Sequence, residues 1–130
     1  MKMKKKIKIL IAEDEAIIAM RMEMELKSLG YDVCKPVSTG KKVIKSAEND
    51  KPDIVLMDLH LVGKMPGIEA ARTIWNNYKI PMIFMTGYQD EELMQKAMEL
   101  NPVAYLIKPV EICEIEAAID LAKEKLRIEN

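Results

Sequence analysis

Cysteine is scarce in this chain, and the two present, Cys34 and Cys113, sit in unrelated segments without metal-type spacing. That pattern argues against a disulfide framework and a thiolate metal site, and fits two free thiols in a reducing cytoplasm. Histidine is scarcer still: His60 stands alone, so no imidazole cluster is available for zinc or copper. No apolar stretch approaches the ~18 residues that a membrane span requires. The lysine-rich start Met1–Lys6 resembles the basic end of a signal peptide, but the apolar run Ile7 to Ala12 is short and ends in Glu13-Asp14-Glu15. It is read as a solvated leader before a buried strand. An excess of one charge is also missing. Twenty basic residues against 21 acidic ones leave −1, which gives no ground for direct binding to nucleic acid or to an anionic membrane. Low-complexity linkers and internal repeats are lacking too, so residues 1–130 are expected to form one domain.

What the chain holds is globular material: 49% hydrophobic and 32% charged residues over a length that buries roughly two-thirds of the unfolded surface. Short apolar runs alternate with stretches of helical period. The runs Ile7–Ala12, Asp32–Val37, Ile54–Asp58, Met82–Thr86 and Ala104–Ile107 read as strands. Between them apolar residues recur at three and four: Ile18, Met22, Leu26 and Leu29; Val43 and Ala47; Ile68, Ala71 and Ile74; Leu93, Ala97 and Leu100. Ile112, Ile115, Ile119, Ala122 and Leu126 form a fifth stripe. Five β-α units imply an α/β fold, doubly wound (βα)5, with helices on both faces of a five-stranded parallel sheet. The second run carries Asp32, Lys35 and Pro36 and belongs at an edge, which the flavodoxin-like order 2-1-3-4-5 supplies. Ser38 and Asp90 are expected to start helices, and Gly30 to stop the first.

The polar residues fall at the strand ends. Strand one runs into Glu13-Asp14, strand three ends at Asp58, strand four at Thr86, and strand five runs into Lys108. Ligands of open α/β sheets bind beyond the carboxyl ends of the strands where strand order reverses. Three carboxylates, a hydroxyl and an ammonium would meet there. At an effective dielectric near 20 and ~6 Å separation each carboxylate pair costs on the order of 3 kcal/mol, so a divalent cation is the natural remedy. The hard oxygen donors favour Mg²⁺, with Mn²⁺ as the substitute. A carboxylate, a metal and a lysine around an open position suit phosphoryl transfer, with Asp58 as nucleophile.

Five strings in order, Ile9-Leu10-Ile11-Ala12-Glu13-Asp14-Glu15, Val55-Leu56-Met57-Asp58-Leu59, Pro66-Gly67-Ile68-Glu69-Ala70-Ala71, Phe84-Met85-Thr86-Gly87-Tyr88 and Ala104-Tyr105-Leu106-Ile107-Lys108-Pro109, resemble the receiver domain of two-component response regulators. The resemblance covers nearly the whole chain. It implies that Glu13 and Asp14 hold Mg²⁺ with Asp58 and the backbone carbonyl of His60, and that Asp58 is the phosphoacceptor. It also implies that Lys108 and Thr86 bind phosphoryl oxygens, that Tyr105 is the switch aromatic, and that the bond before Pro109 is cis. The expected partners are a sensor histidine kinase or phosphotransfer protein upstream and an effector domain or protein downstream. The last strand and last two helices would present the changed surface, with a phosphorylation-dependent homodimer as a further option. Three positions depart from the family pattern: Glu13 stands where Asp is commoner, Gly87 replaces a small side chain, and Pro66 stands where many relatives have Asp.

Plainer roles exist for each residue. Asp58 alone could cap a turn, Glu13 and Asp14 could complement a helix dipole, and Thr86 and Tyr105 could be ordinary strand residues. Trp75 and the methionines read as packing, with Met94 and Met98 as an alternative partner surface. The His60 side chain is expected to point outward. A haloacid-dehalogenase-like phosphatase would need a second Asp where His60 stands. A flavodoxin-like electron carrier would need a glycine-rich phosphate cradle where Glu13-Asp14-Glu15 lies. A degenerate receiver used as a scaffold remains the other alternative. The output, stand-alone or within a larger regulator or hybrid kinase, is not written in these residues.

Overall fold

The three central strand runs become strands because they are apolar on both sides of the pleat and so bury against helices above and below. In the computed structural model, which describes residues 6–87 and 90–129 and the last five of these by backbone alone, the strands are β1 (Lys8–Ala12), β2 (Asp32–Val33), β3 (Ile54–Asp58), β4 (Met82–Thr86) and β5 (Ala104–Ile107). The helices between them are α1 (Ala16–Ser28), α2 (Gly40–Asp50), α3 (Gly67–Tyr78), α4 (Glu91–Met98) and α5 (Ile112–Glu129). All neighbouring strands pair in parallel in the order β2-β1-β3-β4-β5. Most of the lysine leader, Tyr88 and the side chain of Leu126 lie outside the described residues.

Alternation along the strands divides the core in two. Leu10, Val55, Met57 and Phe84 face Val43 and Ala47 of α2, Ala71 and Ile74 of α3, and Ala97 of α4. Ile9, Ile11, Leu56, Ile83 and Met85 face Met22 and Leu26 of α1 and Ile115, Ile119 and Ala122 of α5. Each fully buried Val, Leu, Ile, Met or Phe side chain among them stabilises by about 1.5–3 kcal/mol relative to exposure.

Besides β1 starting at Lys8 rather than Ile7, three local expectations shift. The second strand stops at Val33 rather than running to Val37. Cys34 N–H still donates to Ile9 O, but the next bond to β1 comes from Val37 N–H to Ile11 O, so the edge carries one residue more than its partner. Pro36, which has no N–H, sits in that bulge. The cap of α2 is Thr39, not Ser38. Thr39 is the last extended residue, and its hydroxyl accepts from Lys42 N–H at 3.2 Å. Leu29, placed on the first apolar stripe, is 44% exposed, because α1 ends at Ser28 and Leu29 is its cap. The stop itself is as expected. Gly30 takes φ +97°, Gly30 N–H donates to Lys27 O, and Tyr31 N–H reaches back to Leu26 O. Asp90 caps α4, its carboxylate accepting from Glu92 and Leu93 N–H.

Candidate functional site

Parallel pairing sets the carboxyl ends of β1, β3, β4 and β5 in one row. Ala12 lies beside Met57, Asp58 beside Met85, and Thr86 beside Ile107. The residues that follow or end those strands therefore converge, as their positions at strand ends foretold. Asp58 is only 2% exposed and Thr86 is fully buried, while Asp14 is half-buried.

The cluster is tightly bonded. Lys108 Nζ stands 2.8 Å from Glu13 Oε1 and 2.8 Å from Asp58 Oδ2. The second oxygen of Asp58 accepts the His60 N–H at 2.8 Å, and the second oxygen of Glu13 accepts the Glu15 N–H at 3.1 Å. Both of these backbone donors lie two residues beyond the carboxylate they hold, a local turn of the kind that short acidic side chains, Asp above all, favour. Burial pushes the Glu13 carboxyl above its usual range, and the Lys108 ammonium and the Glu15 N–H offset part of that rise. Burial alone would lower the Lys108 pKa, but its hydrogen bonds to Asp58 and Glu13 outweigh it and the net direction is up.

Carboxylate oxygens of Glu13, Asp14 and Asp58 lie within 4.8 Å of one another. Octahedral ligands at about 2.1 Å from Mg²⁺ stand roughly 3–4 Å apart, so the set fits such an ion with one ligand reached through water or drawn in slightly. One ammonium against three carboxylates leaves an excess of two negative charges if all ionise, which a divalent cation would balance. The His60 side chain is exposed, as expected. The Lys108–Pro109 bond is cis, also as expected. Tyr105 turns its hydroxyl inward. Among the described residues, that oxygen is the buried side-chain polar atom without a partner at hydrogen-bond distance and angle.

Sequence reasoning missed the close packing of two glycines on the β3–α3 turn. A Cβ on Gly67 would lie 2.7 Å from Asp58 O, and one on Gly40 would lie 3.0 Å from Met65 Cγ. Gly67 stood inside a recognised string, but only the fold shows what it touches.

A parallel 2-1-3-4-5 sheet with an acidic pair, a buried aspartate and a lysine at its carboxyl edge is the arrangement of a receiver domain, and the family pattern agrees: the response regulator receiver domain matches residues 9–120. The chain belongs to the response regulator receiver family. Members of this family are signalling switches of two-component systems that bind Mg²⁺ at an acidic pocket. Transcriptional regulatory protein PdtaR of Mycobacterium tuberculosis is 36% identical over 123 residues, covering 92% of this chain and 58% of that protein. Phyllosphere-induced regulator PhyR of Methylorubrum extorquens is 31% identical over 115 residues, covering 88% of this chain and 42% of its own length. The chain thus spans about half the length of these curated relatives. Among solved structures, the signal receiver domain of a modulated diguanylate cyclase from Desulfovibrio desulfuricans G20 superposes with a TM-score of 0.90 at 35% identity, covering 97% of this chain and 100% of that one. Among the described residues no helix is long and apolar enough to cross a membrane.

Proposed function

We propose that residues 1–130 form one cytoplasmic receiver unit in which Asp58 accepts a phosphoryl group from the phosphohistidine of a sensor kinase or phosphotransfer protein. The observation that carries this reading is the Asp58 carboxylate, buried yet charge-compensated by Lys108 at 2.8 Å and flanked by Glu13 and Asp14. An Asp58 oxygen attacks phosphorus, the P–N bond to the donor imidazole breaks, and its electron pair returns to the ring nitrogen. Lys108 is a compact point charge that can turn from the carboxylates to a phosphoryl oxygen. Thr86 offers its hydroxyl to another. Glu13, Asp14, Asp58 and the His60 carbonyl would hold Mg²⁺, or Mn²⁺ in its place. The bound ion supplies charge neutralisation for the transferring group.

The switch would run from Thr86 through the following loop to Tyr105 on β5, and out to the faces of α4, β5 and α5. Met94 and Met98 are half-exposed on α4 and Ile107 is exposed on β5, so this region offers apolar contacts to an effector or a second copy. Incubation with a small acyl phosphate and Mg²⁺ tests the reading. The protein should gain the mass of one phosphoryl group, lose that gain with EDTA, and show none in Asp58→Asn. The adduct should be cleaved by hydroxylamine. An adduct that survives hydroxylamine, or that persists in Asp58→Asn, places the chemistry on another residue.

A further inference from the structure

The turn between β3 and α3 carries Asp58 and His60, and a glycine presses on it from each side. Both glycines are the first residue of a helix, Gly67 of α3 and Gly40 of α2. A Cβ on Gly67 would stand 2.7 Å from the Asp58 carbonyl oxygen, 2.8 Å from the Leu59 carbonyl oxygen and 2.9 Å from the Leu59 carbonyl carbon. All three are backbone atoms, so no side-chain rotation can make room. Across the turn, a Cβ on Gly40 would meet Met65 Cγ at 3.0 Å and Met65 Cβ and O at 3.1 Å. The neighbouring Thr39 also bridges to Val62 in parallel β fashion. The first turns of two helices therefore close directly onto the segment that follows Asp58.

That segment has little freedom to retreat. Leu59 N–H donates to Met85 O at 3.0 Å, which ties it to β4. Added bulk at Gly67 must stretch that bond or push the start of α3 outward. The first movement shifts the Asp58 peptide directly and the second pulls on the segment 59–66 joined to it, while the Asp58 side chain is aligned by the His60 N–H on one oxygen and by Lys108 on the other. We infer that Gly67, and more weakly Gly40, are positioning residues that set where the Asp58 carboxylate stands relative to Lys108 and the acidic pair. The inference rests on the reading of Asp58 as phosphoryl acceptor. Misplacement by about 1 Å can cost on the order of a hundredfold in rate, so small backbone shifts here are legible in kinetics.

The experiment compares phosphoryl acceptance from a small acyl phosphate at saturating Mg²⁺, followed by intact mass, in wild type, Gly67→Ala, Gly40→Ala and Ile74→Val. Ile74 lies in the core on the same helix α3, so its truncation lowers thermal stability without touching the turn. Gly67→Ala should accept the group about tenfold or more slowly, and the amide resonance of His60 should shift. Ile74→Val, at a temperature where all variants are folded, should keep the wild-type rate and the wild-type His60 resonance. Gly40→Ala should lose less, because a methionine side chain can partly yield, and Met65→Ala in that background should move the rate back toward wild type. A folded Gly67→Ala with wild-type rate and an unmoved His60 amide overturns the inference. If Gly67→Ala does not fold, an unchanged rate in Gly40→Ala, or a loss that Met65→Ala does not relieve, overturns it instead. A wild-type protein that gains no mass overturns the acceptor reading, and that outcome is distinct from a glycine variant that matches an active wild type.

Discussion

The ammonium of Lys108 stands 2.8 Å from the carboxylate of Glu13, a residue 95 positions earlier in the chain. The same nitrogen also bonds Asp58, so one cation neutralises charge that a divalent ion would claim. Among the described residues, Asp14 is the member of the acidic trio that makes no such bond.

Competition for the same oxygens has opposite signs for two substitutions. Lys108→Ala should bind Mg²⁺ about tenfold more tightly, and Asp14→Asn about tenfold more weakly. A charge pair near 4 Å is worth about 4 kcal/mol at an effective dielectric of 20, before the remaining groups screen it. Calorimetric titration decides; wild-type affinity in both variants would remove Asp14 from the metal site and Lys108 from competition with the ion.

The Tyr105 hydroxyl titrates late. Burial raises its pKa from the ordinary 10.0, the negative charge of Asp90 adds to the rise, and nearby Thr86 offsets part of it. Because the folded pKa lies above the unfolded one, the stability this group contributes is full below pH 10.0 and is lost as pH climbs through the folded value. The fall of melting temperature at alkaline pH should thus be shallower in Tyr105→Phe. At neutral pH that variant should change stability by no more than about 1 kcal/mol in either direction, since the buried hydroxyl's contact with Thr86 falls outside good hydrogen-bond geometry. A steeper alkaline fall in Tyr105→Phe would contradict the burial account.

Helix caps separate neighbouring residues. Thr39→Ala and Asp90→Ala should each cost about 1 kcal/mol in chemical denaturation, because their side-chain oxygens accept helix N–H groups. Ser38→Ala should cost a few tenths at most, well under the loss of a true cap. A loss at Ser38 as large as at Thr39 would restore the earlier start of α2.

Three strands were legible because their apolar runs end on, or run directly into, a polar residue: Asp58, Thr86 and Lys108. Ile54–Asp58, Met82–Thr86 and Ala104–Ile107 appear with the bounds expected. The edge position of the second strand followed from Pro36 and the charges around it, which disfavour a central strand. The length of β2 did not follow, because a bulge depends on how many residues the partner strand offers. Ser38 and Thr39 are both good caps by type, and only the backbone angles choose between them. For the site, the meeting of Glu13, Asp14, Asp58, Thr86 and Lys108 was readable from their places at strand ends. The pairing of Lys108 with Glu13 and the pressure of Gly67 on Asp58 O were not, since both depend on separations of a few ångströms between distant segments.

The segment Lys51-Pro52-Asp53 between α2 and β3 divides the acidic trio. Glu13 and Asp14 lie before it, and Asp58, Thr86 and Lys108 lie after it. On the metal site proposed above, neither half of the polypeptide would carry a complete set of ligands, and β1 must insert between β2 and β3 before the two sets face each other. Cation binding at that site would therefore report the pairing of β1 with β3: a chain still being synthesised, or one cut at that segment, would show it only once those two strands have zipped together in register.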